Sequence, residues 1–572
     1  MKFIIKNKSD YNCRIVPVQE GEVWEYKLLC DFGEKIRPEE TEVSFDIEYG
    51  GAFSIWNYSC NQDRRLLSDW RENLQKVKSR LACGLPLHSV IAQNGDNVFT
   101  VSVSDIKNSI EISSGINDKR VSHNCIIKFF TQTTEKMDSY EAIIRIDTRK
   151  INFKDAIGEA VESLKEINGL KASYIPDDAR KPVFSTWYNF HQDINEENLL
   201  SQCEKAYELG MRTIIIDDGW QTDDNEGGYA YCGDWAICKK KFPDMRGFIE
   251  KVHKTGLKAM MWYSVPYIGK HSQAWKQFEG KFLDDPNQDW CCLDPRFPDV
   301  RDFLINKYEE AIKKWNIDGF KLDFIDAFEL TEYSDTESKD RDFDSLEDAV
   351  WCLISKINER LKAINPDILI EFRQNYIGPV ITTYSNMVRV GDCAMDSITN
   401  RIGVLDLRLT SGETSVHSDM IIWDYNDEAY IAAKQLIAVL FGVPQISVLL
   451  DELPRTHYRM LKTYLNFFNG HRKTLLEGKL SVFNPECGYS MAEAENEDEK
   501  ITVCYSKNIV NFHKGKHYIV NGTGDTDVII RAKENIKYTI YDCMGNIVSD
   551  GEKYVDGITE FDVPESGIMK LE

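Results

Sequence analysis

The stretch Gly319-Phe320-Lys321-Leu322-Asp323-Phe324-Ile325 is predicted to be a short apolar β-strand that carries one lysine and one aspartate. On a β-strand, Lys321 and Asp323 point to the same face, since side chains alternate with a period of two. Burying these two charges on one face is unfavourable unless both are used. The stretch therefore indicates either a structural ion pair at a strand end or a catalytic carboxylate beside a cation.

Length and charge limit the class of protein. The chain has 572 residues, so about two to four domains are expected. Its net charge is -24, whereas nucleic acids and anionic membrane surfaces attract basic proteins. We therefore expect no nucleic-acid partner and no membrane partner. A neutral or cationic small molecule, or a neutral polymer, is the expected ligand.

Cysteine usage and the N-terminus bear on the compartment. The chain has 15 cysteines, an odd number, with no Cys-x-x-Cys spacing. No apolar run approaches the roughly 20 residues that span a bilayer, and the first residues lack the pattern of a signal peptide. These features predict a cytoplasmic protein whose cysteines are free thiols.

Residues 1–172 are predicted to form an N-terminal β-sandwich. Short alternating segments such as Asn97–Val103 and Tyr140–Ile146 recur there, separated by turn residues. Many short strands in one block are typical of a sandwich. A helix from about Asn152 to Asn168 is expected to lead into the next domain.

Residues 173–478 are predicted to form a (β/α)8 TIM barrel, because apolar strands alternate there with amphipathic helices. The predicted strands are Val183–Asn189, Arg212–Trp220, Leu257–Ser264, Gly319–Ile325, Asp367–Arg373, Met387–Asp392, Ser415–Asp419 and Gln445–Leu449. The predicted helices include Glu196–Leu209, Met245–Thr255, Val300–Trp315, Ser345–Ile364, Asp427–Phe441 and Arg455–Asn469. A doubly wound open sheet is the alternative, but no Gly-x-Gly-x-x-Gly follows any strand.

Residues 479–572 return to short alternating segments, for example Lys500–Tyr505 and Gly567–Leu571. They are predicted to form a small C-terminal β-sandwich domain. The predicted fold class is thus multidomain α/β, with a central barrel between two β domains.

The C-terminal ends of barrel strands are where function is expected. The polar and aromatic side chains predicted there include Trp187, Asp217, Asp218, Trp220, Trp262, Lys321, Asp323, Asp326, Glu371, Arg373, Arg389 and Asp392. Carboxylates accept hydrogen bonds from hydroxyls, Lys and Arg donate them, and Trp stacks on rings, so the set suits a neutral polyol. Cleaving a glycosidic bond uses two carboxylates, and Asp323 and Asp392 are placed to face each other across the rim.

Structural interpretations of the same residues stay open. Asp217-Asp218-Gly219 also fits a strand-to-loop turn, the tryptophans also fit a core, and Arg389 with Asp392 fits a structural pair. Histidines and carboxylates lack metal-ligand spacing, and no Gly-x-Ser-x-Gly elbow occurs. We expect no catalytic metal, no cofactor and no serine-hydrolase mechanism.

Motifs along the barrel resemble those of the α-galactosidases of glycoside hydrolase family 36. In chain order they are Ser185-Thr186-Trp187, Ile216-Asp217-Asp218-Gly219-Trp220, Gly233-Asp234-Trp235, Gly256-Leu257-Lys258 and Phe320-Lys321-Leu322-Asp323. The resemblance covers about Lys181 to Gly478. It implies that Asp323 is a nucleophile and that Asp392 occupies the position of the acid/base.

Further roles follow from the same resemblance. It implies that Lys321 binds a sugar hydroxyl and that Asp217 and Asp218 bind the axial 4-hydroxyl and the 6-hydroxyl of galactose. It also implies that Trp235 and Trp262 are pocket walls. A homo-oligomer is implied as well, since members of the family often assemble.

The chain departs from the family pattern at three places. Tyr263-Ser264-Val265-Pro266 lacks the usual Glu after strand three, and Glu371-Phe372-Arg373-Gln374 replaces a Cys- and Gly-rich turn after strand five. Arg373 is therefore a candidate for binding a carboxylate, a sulfate or another ring substituent. The match around Asp392 is loose, and Asp396 is the alternative acid/base.

The prediction is a retaining exo-α-glycosidase acting on an oligosaccharide or glycoside, with galactose as the preferred sugar. We expect Lys321 to keep Asp323 ionised and enclosure to raise the pKa of Asp392. The alternatives are a transglycosylase, an α-N-acetylgalactosaminidase or a β-L-arabinopyranosidase on the same barrel. A non-catalytic carbohydrate-binding protein is the alternative of another class.

Overall fold

The computed structural model describes residues 1–9, 11–48, 50–71, 74–334 and 338–572. The N-terminal strands are β1 (Phe3–Asn7), β2 (Asn12–Gln19), β3 (Val23–Ile36), β4 (Thr41–Glu48), β5 (Ala52–Trp56), β6 (Lys76–Ser79), β7 (Leu87–Ala92), β8 (Asn97–Val103), β9 (Ile110–Asn117), β10 (Ser122–Phe129) and β11 (Met137–Asp147). They form two sheets, ordered β1-β4-β10-β9-β6 and β2-β3-β11-β8-β7-β5. Alternate side chains such as Phe45 and Ile144 are buried, as expected of facing sheets.

Two cysteines in this region contradict the expectation that all thiols are free. Cys13 on β2 lies directly opposite Cys30 on β3 in the antiparallel register, and a disulfide joins them. The alternating pattern that predicted the strands gave no register, so it could not bring these two residues together. The remaining 13 cysteines are free.

Eight parallel strands close into a barrel, which confirms the predicted fold class. The barrel strands are β12 (Val183–Ser185), β13 (Thr213–Ile216), β14 (Lys258–Ser264), β17 (Gly319–Asp323), β18 (Leu369–Arg373), β19 (Met387–Arg389), β20 (Ser415–Ile421) and β21 (Val443–Ile446). Closure is completed by parallel pairing between β12 and β21. A small hairpin outside the barrel consists of β15 (Tyr267–Gly269) and β16 (Trp290–Cys292).

Helices surround the barrel and connect it to its neighbours. They are α1 (Phe153–Ile167), α2 (Trp187–Phe190), α3 (Glu196–Glu208), α4 (Met245–Thr255), α5 (Gln273–Gln277), α6 (Pro298–Trp315), α7 (Leu346–Ile364), α8 (Pro379–Tyr384), α9 (Ser397–Thr410), α10 (Ala429–Ala438) and α11 (Arg455–Glu477). Sequence signals explain the ends of α4, which begins after the capping side chain of Asp244 and stops at left-handed Gly256.

The first barrel strand is shorter than predicted. It ends at Ser185, and Trp187–Phe190 forms the helical turn α2 instead of continuing the strand. The backbone N–H groups of Phe190 and His191 donate to the carbonyls of Thr186 and Trp187, which closes this turn. Trp187 is therefore presented from a helix at the rim and not from a strand.

The N-terminal sandwich packs on the barrel through buried polar contacts. The Arg80 guanidinium donates to the carbonyls of Asp326 at 2.6 Å and Phe328 at 2.5 Å, both just after β17. Arg64 and Trp56 donate to Asp406 on α9. The sandwich thus touches the loop that follows the fourth barrel strand and the helix α9 that follows the sixth.

The C-terminal strands are β22 (Lys479–Phe483), β23 (Met491–Glu495), β24 (Glu499–Cys504), β25 (Ile509–Asn511), β26 (Lys516–Asn521), β27 (Asp527–Tyr541), β28 (Ile547–Asp562) and β29 (Ile568–Leu571). They pair into one eight-stranded sheet that encloses a separate apolar cluster, including Ile519, Val555 and Met569. None of the helices in the described part of the chain combines the length and apolarity that crossing a membrane requires.

Candidate active site

Asp323 ends the fourth barrel strand and is almost completely buried. Its Oδ2 accepts from the indole N–H of Trp262 at 3.1 Å, and its Oδ1 accepts from the backbone N–H of Phe324 at 2.9 Å. The Nε of Arg373 also donates to Oδ1. Phe324 has a left-handed backbone with φ of 64°, and this turn directs its N–H back to the carboxylate.

The electrostatics keep Asp323 ionised. Burial alone would raise the pKa of the carboxyl, but the charges of Arg373, Lys321 and Arg389 outweigh it and hold the pKa well below its usual value. Arg373 is the largest of these lowering influences, ahead of the predicted partner Lys321. A carboxylate that stays charged while buried is suited to nucleophilic attack.

Lys321 pairs first with Asp217, not with Asp323. Its Nζ donates to Asp217 Oδ2 at 2.7 Å and stands 3.9 Å from Asp323 Oδ2. Burial would lower the pKa of Lys321, but the carboxylates, Asp217 first, raise it instead. Lys321 therefore bridges the ends of the second and fourth strands.

Asp218 sits beside Asp217 and is oriented by amide side chains. Gln192 donates to Asp218 Oδ2 at 2.7 Å, and Gln221 donates to Oδ1 at 2.6 Å. Burial raises the pKa of Asp218 to about 6. The next residue, Gly219, has φ of 113°, and a Cβ there would lie 2.5 Å from the carbonyl oxygen of Gln192, so only glycine fits.

Arg389 lies behind the site with no exposed surface. Its Nη1 donates to Asp419 Oδ1 at 2.5 Å and to Asp392 Oδ1 at 2.9 Å, and its Nε is 3.6 Å from Glu371 Oε1. Because it is enclosed, Arg389 orients these carboxylates and does not face the solvent side of the rim. The predicted pairing with Asp392 is present within this larger cluster.

The environment of Asp392 differs from the expectation. Its side chain is 56% exposed, not enclosed. Partial desolvation by its neighbours raises its pKa, but the charges of Arg389 and Lys321 outweigh this and the pKa is lowered, which contradicts the predicted rise. The alternative, Asp396, is the N-cap of α9 and accepts from the backbone N–H groups of Ile398 and Thr399. The carboxylate of Asp396 is thus already hydrogen-bonded to the first turn of the helix.

Of the predicted tryptophans, Trp220, Trp235 and Trp262 are buried, whereas Trp187 is half-buried. Trp220 has no exposed surface and donates its indole N–H to the carbonyl of Trp262 at 2.9 Å, so it supports the site from the core. Trp262 donates to Asp323 and stacks against half-buried Tyr229. Trp235 packs edge-on against Trp262 at 5.9 Å. Trp187 is half-buried at the start of α2.

Arg373 is occupied within the protein. Its Nε donates to Asp323, its Nη1 donates to the Gln374 carbonyl at 2.6 Å, and its Nη2 lies 3.8 Å from Asp326 Oδ1. The guanidinium also lies 5.0 Å from the centre of the Phe324 ring. With these partners, Arg373 positions the carboxylate and is not a free anion receptor.

Two residues of the cluster were not singled out from the sequence. Asp419 on β20 is completely buried and accepts from Arg389 and from the Tyr188 hydroxyl, the latter at 2.8 Å. Glu371 was noticed at its strand end but given no role, and burial raises its pKa to about 7. A carboxylate on a predicted barrel strand was the available signal for both. Among the described residues, no group of three or more His, Cys, Asp or Glu could hold a metal ion.

Comparison with known proteins bears on this rim. The melibiase family model matches residues 166–379, which contain the first five barrel strands and Asp323. The α-galactosidase Mel36A of Lactobacillus acidophilus is 27% identical over 298 residues, covering 49% of this chain and 37% of that protein. The α-galactosidase 1 of Pediococcus pentosaceus is 28% identical over 154 residues, covering 25% of this chain and 20% of that protein. The matches thus span well under half the length of these curated relatives.

Solved structures share the fold over nearly the whole chain. A variant of the GH36 α-galactosidase AgaA from Geobacillus stearothermophilus, in complex with raffinose, has a TM-score of 0.65 at 14% identity, covering 96% of this chain and 79% of that one. An α-galactosidase from Lactobacillus brevis has a TM-score of 0.64 at 15% identity, covering 96% and 78%. The resemblance to α-galactosidases of glycoside hydrolase family 36 is confirmed.

Proposed function

We propose that the chain is a retaining exo-α-galactosidase that releases terminal α-linked galactose by double displacement. The observation that carries the proposal is Asp323, a buried and ionised carboxylate at the end of the fourth barrel strand, held by three N–H donors. A second carboxylate, Asp392, follows the sixth strand on the same rim. Two carboxylates of this kind are what glycoside hydrolysis requires.

In the first step, Asp323 attacks the anomeric carbon and the glycosidic bond breaks. Its Oδ1 is held by Arg373 and the Phe324 N–H, whereas Oδ2 has one donor, Trp262, at 3.1 Å. Oδ2 is thus the oxygen with a lone pair available for attack. Fixing Oδ1 orients the carboxylate before the sugar arrives, which reduces the entropy lost on reaching the transition state.

Asp392 first protonates the leaving oxygen and then deprotonates the attacking water. The negative charge of Asp323 raises the pKa of Asp392, although Arg389 and Lys321 lower it more. A sugar in the site removes water from Asp392, and burial favours the protonated carboxyl that serves as acid. When Asp323 becomes an ester, its charge disappears, the pKa of Asp392 falls, and the carboxylate serves as base toward water.

The remaining charges suit a neutral sugar. Asp217 and Asp218, which are 1% and 2% exposed, are the carboxylates that we assign to the sugar hydroxyls, and Trp262, 2% exposed, is the assigned aromatic wall. Arg373 is already paired, so an anionic sugar finds no free cation in it. Relatives of this fold have been crystallised with raffinose and stachyose, which supports α-galactosyl oligosaccharides as substrates.

The test is hydrolysis of p-nitrophenyl α-D-galactopyranoside by the wild type and by Asp323→Ala. The variant should lose activity, and azide should restore it with β-galactosyl azide as product, because azide occupies the space of the missing carboxylate. Asp396→Ala is the matched control on the same rim, expected to keep activity and to lose about 1 kcal/mol of stability with its cap. An α-galactosyl azide product would contradict the role of Asp323 as the nucleophile, and an inactive wild type would contradict the proposed reaction.

A further inference from the structure

A cavity of about 440 Å³ adjoins the rim next to Asp392. The N-terminal sandwich contributes Tyr58, Ser59 and Asn61 to its wall. The barrel contributes the end of β18, the loops after β18 and β19, and one face of α9, including Arg373, Gln374, Asn375, Asp392 and Asp406. The cavity therefore lies between two domains of the same chain.

The N-terminal wall of the cavity is anchored to the barrel. Arg64 donates to both oxygens of Asp406 at 2.9 and 2.8 Å, and Trp56 donates to the same carboxylate at 2.9 Å. All three side chains are buried, and Gln62 reaches Thr399 at 3.3 Å. A buried network with these contacts fixes the segment between Trp56 and Arg64, so the wall exists before any ligand binds.

The chemistry of the wall is neutral and hydrogen-bonding. In the described part of the chain, the side-chain amides of Asn61 and Asn375 make no hydrogen bond, and both residues are exposed. The Gln374 amide oxygen accepts from Gly391, which leaves its amide N–H groups to donate. Arg373, the cation of the wall, is already paired with Asp323. Amides of this kind both donate to and accept from hydroxyl groups.

The position of the cavity identifies which part of a substrate it meets. In a double displacement the leaving group departs from the face opposite the nucleophile, beside the acid/base. Asp392 lines the cavity, whereas Asp323 is not among the described residues that do. The cavity thus lies on the leaving-group side of the reacting bond.

We infer that this cavity binds the leaving group as a neutral, hydroxyl-rich sugar unit, and that the N-terminal sandwich thereby sets leaving-group specificity. The inference rests on the proposed function, because it takes Asp392 as the acid/base. It assigns Asn61 and Asn375 to substrate binding, although one of them lies far from the barrel in sequence.

The experiment compares two substrates that share a galactosyl group. Raffinose carries a sugar leaving group, whereas α-galactosyl fluoride has one too small to reach the cavity. Asn61 has a left-handed backbone with φ of 45°, which glycine adopts without strain, so Asn61→Gly removes the amide alone. The ratio of kcat/KM for raffinose to that for the fluoride should fall about 3- to 10-fold, as expected for one lost hydrogen bond. The same ratio should fall by a similar factor in Asn375→Ala and by about 10- to 100-fold in the double variant.

The matched control is Asn316→Gly. Asn316 is also left-handed, with φ of 60°, and exposed, but it follows α6 at the opposite end of the barrel. Its ratio should equal that of the wild type, and thermal melting should show that all variants fold. An unchanged ratio in the double variant, or an equal loss on both substrates, would overturn the leaving-group assignment. A wild type that does not hydrolyse the fluoride would overturn the proposed function and this inference with it.

Discussion

Replacing Lys321 with methionine tests the charge arrangement on which the site depends. The Nζ of Lys321 is 2.7 Å from Asp217 and 3.9 Å from Asp323, and all three side chains are buried. Methionine fills a similar volume without a charge. The variant therefore leaves two buried carboxylates without their shared cation, and Asp217 loses its only ion-pair partner in the described part of the chain.

The distances set the size of the effect. At an effective dielectric constant of about 20, two unit charges 2.7 Å apart attract by about 6 kcal/mol, which is an upper limit before desolvation is counted. Removing one partner of a buried pair typically costs about 3–5 kcal/mol. We expect Lys321→Met to lower the free energy of unfolding by that amount.

The assay is urea-induced unfolding followed by tryptophan fluorescence, with Asp217→Asn and the double variant alongside. The double variant removes both charges of the closer pair, so it should regain about 2–3 kcal/mol relative to Lys321→Met. Activity should not return, because Asp217 is assigned to the sugar. The reasoning is refuted if Lys321→Met costs less than about 1 kcal/mol, or if the double variant is no more stable than the single one.

Two further predictions concern carboxyl groups at the rim. Asp392→Ala should reduce kcat/KM for raffinose by about 100-fold or more but reduce it much less for α-galactosyl fluoride, which needs no protonation to leave, and equal losses would contradict the acid role. Glu371 has its pKa raised by burial from 4.5 to about 7, so the stability it contributes is complete below pH 4.5 and lost as the pH rises through 7. Glu371→Gln should therefore match the wild type at pH 4.5 and exceed its free energy of unfolding by about 1–3 kcal/mol at pH 8, and a pH-independent difference would contradict the shift.

The barrel was predictable because local sequence patterns specify its strands and helices. Lys258–Ser264 and Gly319–Asp323 are apolar runs of strand length, and Met245–Thr255 carries its own cap and glycine stop. Several predicted strands run past the observed ends, and the difference is largest in kind at Trp187–Phe190, which is helical. Its residues favour a strand, but backbone hydrogen bonds after Ser185 close a helical turn, and this depends on contacts that local pattern does not encode.

The candidate site was only partly predictable, because ion pairs between strands depend on register. Lys321 and Asp323 share a strand face, so their proximity was expected, yet the closer partner of Lys321 is Asp217 from another strand. Arg373 lies on β18, the neighbour of the strand that carries Asp323. The two strands pair with Lys321 opposite Glu371, and this register brings Arg373 to Asp323. Neither pairing follows from spacing along the chain.

The contact between the sandwich and the rim was beyond sequence reasoning altogether. Arg64 and Asp406 are separated by 342 positions, and each looks like an ordinary surface charge in its own segment. Their burial depends on how two domains dock. Any specificity supplied by Asn61 is therefore visible only in three dimensions.

The pKa values of the buried carboxyls are consequences of one charge balance. Among the described residues, seven carboxyls share the rim with three cations, namely Asp217, Asp218, Asp323, Asp326, Glu371, Asp392 and Asp419 against Lys321, Arg373 and Arg389. Three cations cannot neutralise seven carboxylates, and burial raises the pKa values of Asp218 and Glu371, which the cations compensate poorly, to about 6 and 7. The positive charges of Arg373, Lys321 and Arg389 act most strongly on Asp323, whose pKa is lowered. A buried attacking carboxylate needs such nearby cations, because desolvation would otherwise favour its protonated form.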